Sequence, residues 1–171
     1  MSSKLTLERV LARPVLLPLD RPIVARIATV TEWPIILIDL YTAEGIIGRS
    51  YLEPYTAKTM EYLVPALHDL GTLLKGQQIA PVDLYYAARK SLQFVGYEGM
   101  SAIAVSGLDM AAWDAVAKAA GQPLCELLGG SVGSVRAYNS NGLWLHEPAV
   151  VAKEAAVLRD EGGFTGLKLR L

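Results

Sequence analysis

The stretch Met100–Ala120, MSAIAVSGLDMAAWDAVAKAA, constrains the fold more than any other part of the chain. Ala104, Gly107, Ala111 and Ala115 recur at steps of three and four, which puts them on one face of a helix. A face of Gly and Ala has no bulk of its own, so something must pack closely against it. Gly-Gln-Pro at 121–123 closes the helix, and Pro-Leu-Cys-Glu-Leu-Leu-Gly-Gly reads as a short capped helix after it.

The remaining periodicities assign the flanks. Residues 4–17 alternate apolar and polar side chains and predict a strand, with Pro14 and Pro18 marking an edge or a loop. Residues 18–34 carry three prolines and read as an irregular segment. IILIDLY, the turn Thr42-Ala43-Glu44-Gly45 and IIGRSYL predict a hairpin, completing a small antiparallel meander. Leu63, Leu67, Leu70 and Leu74 form one helical stripe that Gly76 ends, and Ala80-Pro81 starts another helix. The last 40 residues change character: VRAYNSNG as a strand and Asn-Gly turn, PAVVAKEAAVLRDEGG as a helix, and FTGLKLRL as a second strand. Strand, helix and strand with short loops predict a βαβ unit and a parallel pair, which cannot bury both its faces alone. The expected organisation is therefore an α+β domain over residues 1–131, then the first strands of something larger over 132–171.

Composition narrows the partners. The 171 residues, 52% hydrophobic, allow one sizeable core. Sixteen basic against 17 acidic residues give a net charge of −1, with no excess to neutralise phosphates, so no nucleic-acid partner is expected. The single cysteine, Cys125, excludes an internal disulfide framework and fits a reducing compartment. The N-terminus lacks the apolar core of a signal peptide, and no apolar run reaches the ~18 residues of a membrane span. These features predict a cytoplasmic protein with no membrane partner.

Lys168 and Arg170 alternate with leucines in the final segment. On a strand they share a face, their Cα atoms roughly 6.6 Å apart, while Leu167, Leu169 and Leu171 share the other. Two cations at the inner C-terminal end of a parallel strand are costly unless they meet anions, and in a β/α barrel that end is where active sites lie. A carboxylate-binding, proton-transferring pair and a solvated edge stand about equal on spacing alone. Ser140 follows the first strand on the same rim, Tyr55 follows Glu53-Pro54 in a loop, and Arg26 sits in the proline-rich segment; on spacing alone a plain turn, packing or surface role is the favoured reading of each. His68 and His146 have no partner at metal-ligand spacing and read as solvated. Asp109 and Asp114 lie about 140° apart around their helix, so they do not converge on one ion.

Residues 104–130, AVSGLDMAAWDAVAKAAGQPLCELLGG, resemble the helical signature of the mandelate racemase and muconate-lactonising branch of the enolase superfamily. IILIDLYTAEGIIGRSYLEPYT, GYEGM, AYNSNG and GLKLRL extend the resemblance over essentially the whole chain, most strongly toward the mandelate racemase type. It implies an α+β capping domain followed by a modified TIM-type β/α barrel. It also implies loops around residues 19–30 and Tyr55 that close over the substrate, a small hydroxy acid or sugar acid. Enzymes of this kind remove the proton α to a carboxylate with the help of Mg²⁺, and homo-oligomers are common among them. The family's Lys-x-Lys falls on Lys168, which would neutralise the substrate carboxylate, and on Arg170, at the position of a base. Ser140 matches a carboxylate-binding serine and Tyr55 a tyrosine on the substrate-covering loop. Two departures matter. A guanidinium stays protonated, so Arg170 makes a poor base but a good grip for a second carboxylate, and Arg26 stands where mandelate racemase has a small neutral residue. The family's metal-binding acids belong to later barrel strands. The chain is therefore expected to be the N-terminal part of a racemase or acid-sugar dehydratase, inactive by itself; an orphan capping module that binds a partner is the alternative.

Overall fold

The structure, a computed structural model, describes residues 4–170. Three strands, β1 (Leu7–Val24), β2 (Thr29–Thr42) and β3 (Ile47–Leu52), form a sheet in the order β1-β2-β3. β2 and β3 are antiparallel, with Asp39 opposite Arg49 and Ile38 opposite Ser50. The helices are α1 (Ala57–Leu73), α2 (Pro81–Ser91), α3 (Met100–Ala120), α4 (Leu124–Leu127) and α5 (Pro148–Asp160). No helix among the described residues is long and apolar enough to cross a membrane.

The chain divides into two compact units. One comprises the described part of Met1–Leu16 together with Pro34–Val132. Its core follows from the period-two pattern of β2: Ile36, Ile38 and Leu40 are buried on one face, while Leu37 on the other is exposed. α1 adds Leu63, Leu67 and Leu70, each worth about 1.5–3 kcal/mol for full burial. The small face of α3 receives the sheet. A Cβ on Gly107 would come within 2.6 Å of Ile38 Cδ1, and one on Gly48 of β3 within 2.0 Å of the Ala111 carbonyl oxygen. β3 is an edge strand, so its outward backbone groups need partners, and α3 supplies them. The Arg49 amide donates to Asp114 Oδ2 (2.6 Å), and the Ile47 carbonyl accepts from Lys118 Nζ (3.0 Å).

The other unit comprises Leu17–Trp33 and the described part of Gly133–Leu171. Here the sequence expectation of an irregular segment at 18–34 is overturned: β1 runs on to Val24 and β2 begins at Thr29, around a turn in which the Ala25 amide donates to the Ala28 carbonyl. Prolines did not break these strands because of where they sit. β1 is an edge, and Pro14, Pro18 and Pro22 are spaced by four, so their missing donors share one side of the strand. Pro34 lies outside the stretch of β2 that pairs with β3, which begins at Ile36.

Two further expectations change. The two C-terminal strands amount to a single parallel bridge, Asn139 to Leu167, with α5 between them. A lone parallel pair has no neighbouring strand to extend its ladder. Leu169 is exposed, and Leu171 lies outside the described residues. His68 is half-buried rather than simply solvated: its Nε2 accepts the Ala12 amide of β1 at 3.0 Å.

Candidate acid-binding site

The site is assembled around Asn139, a buried residue that the sequence reading passed over. Its amide donates to the Gly166 carbonyl and its carbonyl accepts the Lys168 amide, which fixes the end of FTGLKLRL beside AYNSNG. Its side chain works in two directions. Nδ2 donates to the Leu158 carbonyl of α5 (3.2 Å) and Oδ1 accepts the Asn141 amide (3.0 Å), closing a tight turn. The turn is pressed against α5. A Cβ on Gly142 would lie 2.7 Å from Glu154 Oε1, and Glu154 Oε2 accepts the Leu143 amide at 2.8 Å. Leu143 is buried with φ of 55°, a left-handed backbone rare for a branched side chain. The visible sequence signal was Asn139 and Asn141 flanking a serine before Gly142, residues that tolerate such turns.

Arg170 closes over this turn. Its amide donates to the Leu143 carbonyl (3.3 Å), and Nη1 donates to the carbonyls of Gly142 (3.1 Å) and Ser140 (3.3 Å). The guanidinium carbon lies 3.7 Å from the centroid of the Trp144 ring. Arg170 and Ser140 are thus brought together, though through the serine's backbone rather than its hydroxyl. Lys168 opens elsewhere, into a shallow hollow of about 490 Å³ lined also by Arg136 and Tyr138. Among the described residues its ammonium meets no carboxylate at ion-pair distance, and neither does Arg136. Arg136 was not singled out in the sequence; its only signal is its place in VRAYNSNG, the segment that bridges to FTGLKLRL.

Arg26 is exposed at the tip of the β1–β2 hairpin. The hairpin is tied to this unit by two contacts. The Leu145 amide donates to the Val24 carbonyl, and Arg21 makes a two-pronged ion pair with Glu161. The hydrogen bonds from Arg21 hold the Glu161 carboxyl below its ordinary range. Tyr55 belongs to the other unit. It is 71% exposed, with φ of 62° just before Thr56, whose hydroxyl caps α1 through the Thr59 amide. A tyrosine held left-handed stores local strain, a frequent mark of functional loops.

Residues 8–129 match the family described as mandelate racemase / muconate lactonizing enzyme, N-terminal domain. The chain belongs to this family. The resemblance drawn from residues 104–130 is borne out, and the three-stranded sheet with its helices is the capping-domain fold of the enolase superfamily. The L-talarate/galactarate dehydratase of Salmonella typhimurium LT2 is 32% identical over 162 residues, covering 91% of this chain and 40% of that protein. An enolase from alpha proteobacterium BAL199, solved with bound Mg, superposes with a TM-score of 0.93 at 62% identity, covering 98% of this chain and 47% of the other. An enolase from Bradyrhizobium in complex with magnesium and mandelic acid gives 0.88 at 37% identity, covering 99% and 46%. The chain thus spans less than half the length of these proteins.

The acids of this family member do not fit a magnesium ion within residues 4–170, since no three of its His, Cys, Asp or Glu side chains converge there. The acids of α3 have other work. Asp114 accepts the Arg49 amide and the Lys118 ammonium (2.5 Å), and burial pushes the Asp109 carboxyl up, toward its neutral form. Among the described residues, Lys168 and Arg136 remain cations with no carboxylate at ion-pair distance.

Proposed function

We propose that this chain is the N-terminal part of an acid-sugar dehydratase of the mandelate racemase type, with a capping domain at 1–131 and the start of a β/α barrel at 132–171. The observation that carries the reading is the pair of cations at 168 and 170. Lys168 is an exposed ammonium with no carboxylate partner among the described residues, and Arg170 spends only Nη1 on the chain's own carbonyls. Lys168 would neutralise the carboxylate next to the reacting carbon. Arg170 stays protonated and so serves as a clamp rather than a base. Ser140 would add a hydrogen bond to the carboxylate, while Tyr55 and Arg26 would contribute from the covering loops.

The dehydration itself removes the proton α to the carboxylate and expels the β-hydroxyl as water; the enol left behind tautomerises to a 2-keto acid. The substrate is a small hydroxy acid or sugar acid. The likeness to an L-talarate/galactarate dehydratase supports a polar substrate. Mg²⁺ and the base would be held by residues outside 4–170, so residues 1–171 alone should not turn over. Homo-oligomeric assembly in the cytoplasm is part of the same reading. A racemase is the second reading, favoured by the mandelic acid complex of the Bradyrhizobium protein.

The test uses the protein as its source makes it, supplied with Mg²⁺ and galactarate in D₂O. Formation of a keto acid with one water lost supports the dehydratase; deuterium uptake at the α-carbon without net loss supports the racemase. Lys168→Ala should lower kcat/KM by at least about 100-fold, since it removes charge stabilisation at the reacting centre. Turnover unchanged by that substitution would sink both. An orphan capping module would instead be monodisperse, would unfold cooperatively as residues 1–171, and would show no turnover in any form.

A further inference from the structure

We infer that Trp144 is a positioning residue that makes Arg170 selective for a second carboxylate, so that the site prefers diacid over monoacid sugars. This rests on the acid-binding reading above. The geometry is specific. The guanidinium carbon lies over the indole, 3.7 Å from the ring centroid, and the carbonyls of Ser140 and Gly142 take both donors of Nη1. That leaves the Nε–H and the Nη2 donors of Arg170 with no hydrogen bond among the described residues. A carboxylate needs two parallel N–H donors from one guanidinium, and Nε with Nη2 is such an edge.

The support beneath Trp144 is rigid. The residue before it, Leu143, is buried, left-handed, and held at both backbone groups, by Glu154 Oε2 at the amide and by the Arg170 amide at the carbonyl. The side chain at 144 therefore leaves a turn that cannot swing. A free arginine would lose substantial rotamer entropy on gripping a ligand; one already stacked and tied has lost it beforehand. Trp144 touches no ligand in this scheme and acts through Arg170 alone.

The experiment is a calorimetric titration of the natural protein, with and without added magnesium, using galactarate as the diacid and galactonate as the matching monoacid. Trp144→Leu keeps apolar bulk and removes the π face. It should weaken galactarate by about tenfold and leave galactonate within about twofold, whereas Trp144→Phe should keep most of the preference. Arg170→Met should lose the same preference, and adding Trp144→Leu to it should cost nothing more, because the two act as one unit. Equal weakening of both acids by Trp144→Leu, or no change in either, overturns the inference while leaving the acid-binding reading intact. Failure of the unsubstituted protein to bind either acid overturns that reading, and this inference with it.

Discussion

Replacing Gly48 by Ala tests why α3 carries a face of small residues. Gly48 is not in a left-handed conformation, so the substitution asks nothing of the backbone dihedrals and probes close approach alone. The added Cβ would sit 2.0 Å from the Ala111 carbonyl oxygen, 2.8 Å from the Ala115 Cβ and 3.0 Å from the Ala115 amide nitrogen. Two of these three atoms are helix backbone, and no rotamer relieves them. α3 must move away by more than 1 Å on the ordinary contact scale, which loosens Ala104, Ala111 and Ala115, each at most 1% exposed. Overpacking of this kind costs about 1–3 kcal/mol where side chains can yield, so a backbone clash should cost about 3 kcal/mol or more. Gly107→Ala is the internal control. Its Cβ meets Ile38 Cδ1 at 2.6 Å and Leu52 Cδ1 at 3.0 Å, flexible ends that can rotate, and it gains up to about 1 kcal/mol in helix propensity. It should cost about 1 kcal/mol or less. Urea unfolding followed by far-ultraviolet circular dichroism, with hydrogen exchange of the α3 amides, measures both. A Gly48→Ala protein within about 0.5 kcal/mol of the parent, or a Gly107→Ala protein less stable than the Gly48→Ala one, would refute the reasoning.

Asn139→Ala should cost about 1–3 kcal/mol by leaving the Leu158 carbonyl without its side-chain donor, and should raise the exchange rate of the Asn141 and Lys168 amides; unchanged exchange there would deny Asn139 its organising part. Tyr97 gives a pH signature. Burial and its hydrogen bond with Tyr85 push its phenol up from 10.0 to about 12. A raised value favours the protonated form in the folded state, so its contribution to stability is fully present below about pH 10 and is lost as pH rises to about 12. Titration of phenolate absorbance should show a late step near pH 12 that Tyr97→Phe removes.

Legibility in the sequence followed locality. The stripe at Leu63, Leu67 and Leu70 and the small face of α3 were readable because a helix folds its neighbours together, and each face then had one solution. The β1–β2 hairpin was misread because a proline's effect depends on which side of a strand it faces, and that is decided by a partner strand. The cations at 168 and 170 were readable as residue types, but not their separate surroundings. Those depend on Asn139, whose one signal was the turn-forming run before Gly142, and on Trp144 and Glu154, which carry none of their own in the sequence. His68 was misjudged for a similar reason, since its partner is a backbone amide 56 residues away.

The outer half of the hairpin bears on how the chain is born. Arg21 finds Glu161 across 140 residues, so at roughly 5–20 residues per second of synthesis that strand end waits about 7–28 s for its partner. During that interval an unpaired edge would be free to recruit strands from neighbouring nascent chains. Prolines at 14, 18 and 22 deny one side of the waiting edge the donors such recruitment needs. What looked like punctuation against a strand instead thins the amide donors that a premature pairing could use.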